Sequence, residues 1–139
     1  MSRRKARETA FKVVFQVDQV QADAKKAFDY LILHDKLAEK NQGFSWDLIH
    51  GTLEKQAEID RMIASYSREW ALDRMSSVDR NIMRVAAFEI LFLEDSQAVV
   101  AIDEAIEIAK KYGDEGSASF VNAILDKILG EKNEQFPGN

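Results

Sequence analysis

Arg3, Arg4, Lys5 and Arg7 lie together at the start of a 139-residue chain that is otherwise acidic. With Lys12 they set five basic groups against one acid, Glu8, within the first twelve residues, a local charge of +4 where the whole chain carries −5. A cationic patch on a body of opposite sign points to a polyanion bound locally, and nucleic-acid phosphate is the commonest one. These cations also occupy the first turn of a helical pattern, where they oppose the helix dipole. A second cluster follows late in the chain. Lys110, Lys111 and Tyr112 end one helical pattern, residues 113–116 make a tight turn, and Ser117 opens another helix that carries Phe120. Lysines, two aromatic rings and a helix N-terminus can together hold a phosphate and stack an unpaired base. That combination suits single-stranded RNA better than duplex DNA. Tyr112, at the helix end, is the better stacking candidate; Phe120 fits a core position as well as an RNA contact.

Other chemistries find little support. The chain has no P-loop, GxGxxG, GxSxG or HExxH pattern. Asp47 and His50 sit three apart, but two ligands do not make a metal site and no third is evident, so a surface hydrogen-bonding role is expected. The carboxylates Asp103, Glu104 and Glu107 fall early in a helix, where they favour its dipole, and Glu107 is spaced to pair with Lys111.

The absence of Cys excludes disulfides, thiolate zinc sites and Cys nucleophiles, and fits a reducing cytoplasm. No apolar run reaches the roughly 18 residues of a membrane span, and no apolar segment follows the basic start, so neither a span nor a secretory signal is expected. A pI near 5.1 argues against a general nucleic-acid coat.

The elements that must position these residues read as helices throughout. One Pro and six Gly leave little room for a turn-rich β fold. Ala6, Ala10, Val13, Val14 and Val17 form one stripe over 3–20, with Ser2 as its N-cap. A second helix spans 24–38. Asn41, Gln42 and Gly43 read as a break, after which Ser45 caps a helix to about residue 66, with a bend near 54–58. Residues 67–75 connect two halves through Trp70 and Leu72. Ser76 or Ser77 caps a dense apolar helix from Val78 to Leu93, the central one. Another helix ends at Gly113 as its C′ residue, and the last runs from Ser117 to a stop at Gly130. The expected fold is all-α: a bundle of six to seven helices in two packed subdomains, about 1–66 and 67–130, followed by a polar tail at 131–139.

These blocks carry a family resemblance. Arg3-Arg4-Lys5-Ala6-Arg7-Glu8 before an apolar helix resembles the N-terminus of the NusB transcription antitermination factors. So do Trp70-Ala71-Leu72-Asp73-Arg74-Met75 and the block from Val78 to Leu91. The most specific match runs from Val100 to Gly113 and on through Ser117, Phe120-Val121-Asn122 and Leu125-Asp126. The resemblance spans nearly the whole chain, with residues 20–45 matching only in pattern. It implies an all-helical fold, no catalysis and no cofactor. It implies binding to boxA, a single-stranded RNA element of bacterial ribosomal RNA operon leaders. It also implies a heterodimer with NusE, a small-subunit ribosomal protein, loaded onto RNA polymerase with other Nus factors. On this resemblance Arg3, Arg4, Lys5, Arg7, Lys111, Tyr112 and Phe120 are expected to bind RNA, and Phe15 and Asp79 to contact NusE. Phe15 stands where a Tyr is often found, Ala123 replaces the glycine usual after the Asn, and Gly116 stands where related chains carry a polar residue. Two further expectations are a homodimer of the free protein, closed by an exposed apolar patch, and, as the competing function, a non-catalytic protein-interaction module indifferent to RNA sequence.

Overall fold

The computed structural model describes residues 2–68 and 71–135, with side chains from Arg3 to Glu134 within them. Seven helices and no strand occur among the described residues: α1 Ser2–Val20, α2 Ala24–His34, α3 Glu39–Glu54, α4 Gln56–Tyr66, α5 Ser77–Phe92, α6 Ala98–Tyr112 and α7 Ser117–Gln135. The all-α expectation therefore holds. None of these helices is long and apolar enough to cross a membrane. Trp70 and Pro137 lie outside the described residues.

Helix α5 is the axis of the molecule. Ser76 caps it, its hydroxyl oxygen accepting from the Asp79 N–H at 3.3 Å, and every residue from Asn81 to Ile90 is buried. A helix buried on all sides must be surrounded, and α5 packs against α1, α3, α4, α6 and α7. The expected α1 stripe is the face it meets: Ala6, Ala10, Val13 and Val14 are buried. Gly51 lets α3 approach α5 closely, because a Cβ there would stand 2.0 Å from the Phe88 ring.

Charges tie the same helices at the other end of α1. Asp18 accepts from Arg80 at 2.7 Å and from Asn81 at 2.9 Å, and Arg84 grips Asp60 of α4 through two bonds of 2.8 and 2.9 Å. Burial by itself would raise the Asp18 pKa. The hydrogen bonds from Asn81 and Arg80 and the nearby arginine charges outweigh it and hold the group at about 2.

The structure corrects several expected boundaries. The bend near 54–58 is a separation into α3 and α4 at Lys55. Residues 41–43 do not break the chain but lie inside α3, and Ser45 is no cap. Ser45 is fully buried and donates to the Ala6 carbonyl at 2.8 Å, pinning α3 to α1. Ser2 is the first helical residue of α1 and so lies inside the helix, not at its N-cap. Gly130 does not stop α7, so no tail begins at 131. The added turn is held from outside, Lys132 donating to the Ile90 carbonyl at 2.6 Å and Tyr66 to the Glu131 carboxylate.

Candidate nucleic-acid interface

The helical period sorts the basic segment of α1 onto different neighbours. Residues 3 and 7 face α3, where the Arg3 guanidinium lies 4.0 Å and that of Arg7 5.2 Å from the centre of the Phe44 ring. Residues 4 and 8 face α6. Arg4 clamps Glu104 through two bonds of 2.9 and 2.8 Å, and Glu8 receives both the Lys111 ammonium at 2.9 Å and the Tyr112 hydroxyl at 3.0 Å. Lys5 faces solvent with no ion-pair partner among the described residues.

Arg7 is the buried member of the four basic residues. Expected as an RNA contact, it is buried, and its guanidinium is spent on Glu89 of α5 through bonds of 2.8 and 2.6 Å, with Glu89 only 1% exposed. A guanidinium forked onto a buried carboxylate is a strut. It ties α1 to α5. Arg4 keeps 45% of its side chain exposed while it holds Glu104. The hydrogen bond and charge of Glu104 raise the Arg4 pKa, and those of Arg4 lower that of Glu104. Lys111 is raised in the same way by Glu8. The basic segment thus carries its own counter-ions, drawn largely from distant helices, and among the described residues its unpaired cations are Arg3 and Lys5.

Tyr112 is half-buried, its ring packed 5.5 Å from that of Phe11. Lys12 and Lys111 lie 5.9 and 5.3 Å from the Tyr112 ring centre. The turn after it is built on Gly113, where a Cβ would meet the Ser117 hydroxyl at 2.4 Å; that oxygen accepts from the Asp114 N–H at 2.9 Å. Gly113 ends α6 as expected, as the cap residue itself and in an extended conformation.

Phe120 turns away from Tyr112 to a different edge. It is half-buried and shared by two surface hollows, one of about 290 Å³ with Arg74, Met75, Ser76, Asp79 and Gly116, the other of about 620 Å³. Asp79 is 8% exposed, and its Oδ1 has no hydrogen-bond partner among the described residues. Burial raises its pKa, a hydrogen bond from Ser117 opposes the shift, and the Asp114 charge adds to it. Phe15 is partly buried against Phe11, ring centres 5.9 Å apart.

The remaining expectations concern side chains that find other partners. Among the described residues no three metal-type side chains come together. His50 stacks beside Trp46 and lies 4.0 Å from Glu54. Lys111 goes to Glu8, so Glu107 pairs with Lys110, at 3.3 Å, and not with Lys111 as expected. Sequence reasoning missed Phe44, Glu8, Glu89 and Glu104 as members of the site. The i,i+4 spacing of Arg3/Arg7 and Arg4/Glu8 signalled two working faces, but nothing local named the residues opposite them.

A family model described as the NusB family matches residues 4–130. A transcription antitermination protein NusB from Syntrophomonas wolfei subsp. wolfei is 96% identical over 133 residues, covering 96% of this chain and 99% of its own. A solved NusB from T. maritima is 41% identical with a TM-score of 0.86, over 94% of this chain and 92% of that one. A crystal structure of the antitermination factors NusB and NusE in complex with double-stranded RNA contains a chain 25% identical, with a TM-score of 0.86, over 94% of this chain and 97% of its own.

Proposed function

The chain belongs to the NusB family, and on that premise we propose that it is a transcription antitermination factor acting by binding rather than catalysis. Its ligand is the single-stranded boxA RNA of ribosomal RNA operon leaders, taken up together with NusE. The pair works in the cytoplasm, helping to assemble an antitermination complex on RNA polymerase with other Nus factors. The observation that carries this reading is the start of α1, between α3 and α6. Arg3 and Lys5 stand exposed there without carboxylate partners among the described residues, and Arg4 is held at the surface beside them, on an otherwise acidic protein.

In this mechanism Arg3, Lys5 and Arg4 supply phosphate contacts that carry no sequence information, so binding is salt-dependent. Phe120, and the edge of Tyr112 left by Phe11, supply contacts to bases. Arg7 and Phe44 hold the cations in place. Because Arg4 on α1 pairs with Glu104 on α6, the RNA surface spans the two proposed subdomains, 1–66 and 67–130. The partner-facing side is assigned to Asp79, which lines the hollow shared by Arg74 and Phe120; Phe15 is assigned to the same partner.

The test is fluorescence anisotropy with boxA-like and scrambled strands, with and without NusE, at two salt concentrations. Preference for the boxA-like strand, strengthened by NusE and weakened by salt and by Arg3→Ala/Lys5→Ala, is expected. Equal, weak binding to both strands that neither NusE nor the substitutions change would leave a protein-interaction module.

A further inference from the structure

The larger of the two hollows beside Phe120 is a groove between the end of α4 and the face of α7. It encloses about 620 Å³ and is lined by Ser65, Tyr66, Ser67 and Arg68 on one wall and Phe120, Ala123, Ile124 and Lys127 on the other. Arg68 and Lys127 are both exposed, and neither has an ion-pair partner among the described residues. This sets them apart from Arg4, Arg7, Lys12, Lys110 and Lys111, each of which holds a carboxylate. Arg74, likewise without an ion-pair partner among the described residues, lines the adjoining hollow on the other side of the same ring. The acid of that hollow is Asp79, and Glu131, which takes the Tyr66 hydroxyl, does not line the groove.

We propose that this groove is a further RNA subsite, in which Arg68 and Lys127 hold the sugar–phosphate backbone flanking a base stacked on Phe120. The inference rests on the RNA-binding function proposed above and extends it to a surface on which neither cation has been assigned a role. Charge complementarity selects the occupant. Two cations on opposite walls, with an aromatic ring lining the same groove, match the alternation of phosphate and base in a single strand. An aliphatic or cationic partner would leave both charges unmatched. Phe120 lines both hollows, so a strand crossing the ring enters the groove without leaving the protein.

The experiment compares the full-length wild type with Arg68→Ala/Lys127→Ala. Anisotropy is read on a boxA-like strand, on the same strand with a uridine tail at its 5′ end, and on one with the tail at its 3′ end. One tail is expected to raise wild-type affinity, and the double variant is expected to abolish that gain. The slope of log K against log salt for the tailed strand should fall by about 1.4, since each of the two cations neutralises a phosphate worth about 0.7 of slope on a single strand. Unchanged melting of the variant is the expected control, since neither side chain holds a carboxylate. If the tail effect and the slope are the same in both proteins while Arg3→Ala/Lys5→Ala still weakens the untailed strand, the groove is off the RNA path and the function stands. If no strand binds, both fail. Binding of a poly-glutamate peptide that the double variant abolishes, with RNA binding intact, would assign the groove to an acidic protein and overturn the inference.

Discussion

Arg7→Ala separates a strut from a ligand. The substitution leaves Glu89, 1% exposed, without the guanidinium that grips both its oxygens. Breaking a buried pair from one side costs about 3–5 kcal/mol, because the remaining charge is uncompensated. Removing the guanidinium from the Phe44 ring adds about 0.5–1 kcal/mol. Against a total stability of about 5–15 kcal/mol, this is a large fraction. At about 3 °C per kcal/mol for a chain of this size, the melting temperature should fall by roughly 10–20 °C. Urea denaturation followed by helix circular dichroism measures the free energy, and a thermal scan measures the shift. The companion variant Arg7→Met/Glu89→Leu removes both charges while filling the space. It should recover most of the stability, since apolar replacement of a buried pair is often neutral. RNA affinity of the folded double variant should stay near wild type, whereas Arg3→Ala/Lys5→Ala should lose affinity with little change in melting. An Arg7→Ala protein within about 1 kcal/mol of wild type, with RNA binding as weak as that of Arg3→Ala/Lys5→Ala, would refute the strut assignment.

Glu104→Gln removes the counter-ion that holds Arg4. RNA binding is expected to tighten and its salt dependence to steepen, as read by anisotropy; weaker binding would mean that the carboxylate presents the guanidinium to RNA and does not compete for it. Gly51→Ala places a methyl against the Phe88 ring, and overpacking of this kind should cost about 1–3 kcal/mol in urea denaturation. Asp18 has a folded pKa depressed from 3.8 to about 2, so its contribution is fully present above pH 3.8 and is lost as pH falls through 2. Asp18→Asn should cost on the order of 1–2 kcal/mol at neutral pH and flatten the stability profile over that acid window; an unchanged profile would show that other paired carboxylates, such as Asp35 and Glu104, carry the acid sensitivity.

Helical periodicity made most of the fold legible, because a stripe such as Ala6, Ala10, Val13 and Val14 has only one way to be buried. The boundaries that were misplaced share one cause. Asn41, Gln42 and Gly43 look like a turn because their polar side chains compete locally with the backbone for hydrogen bonds and the glycine adds freedom. Here that competition is resolved elsewhere: Gln42 donates back to the Leu37 carbonyl at 3.1 Å, and Ser45 reaches across to Ala6. The helix continues through residues whose own preferences would end it. Gly130 repeats the pattern, since the turn beyond it is fastened by Lys132 on Ile90, a tie to α5 that no window of sequence contains.

The candidate site shows the same division between what is local and what is not. Its charge was legible, because net sign depends only on composition over a dozen residues. Its accessibility was not, because that depends on acids 82 and 100 positions away, Glu89 and Glu104. A row of four cations looks uniform in one dimension, yet at about 100° per residue it addresses three environments. Position 7 points inward and is neutralised, position 4 is held at the edge, and positions 3 and 5 remain available. The functional charge of the segment is therefore smaller than its formal charge, and a salt slope measured for the α1 rim should count Arg3 and Lys5, with Arg4 only when Glu104 lets go.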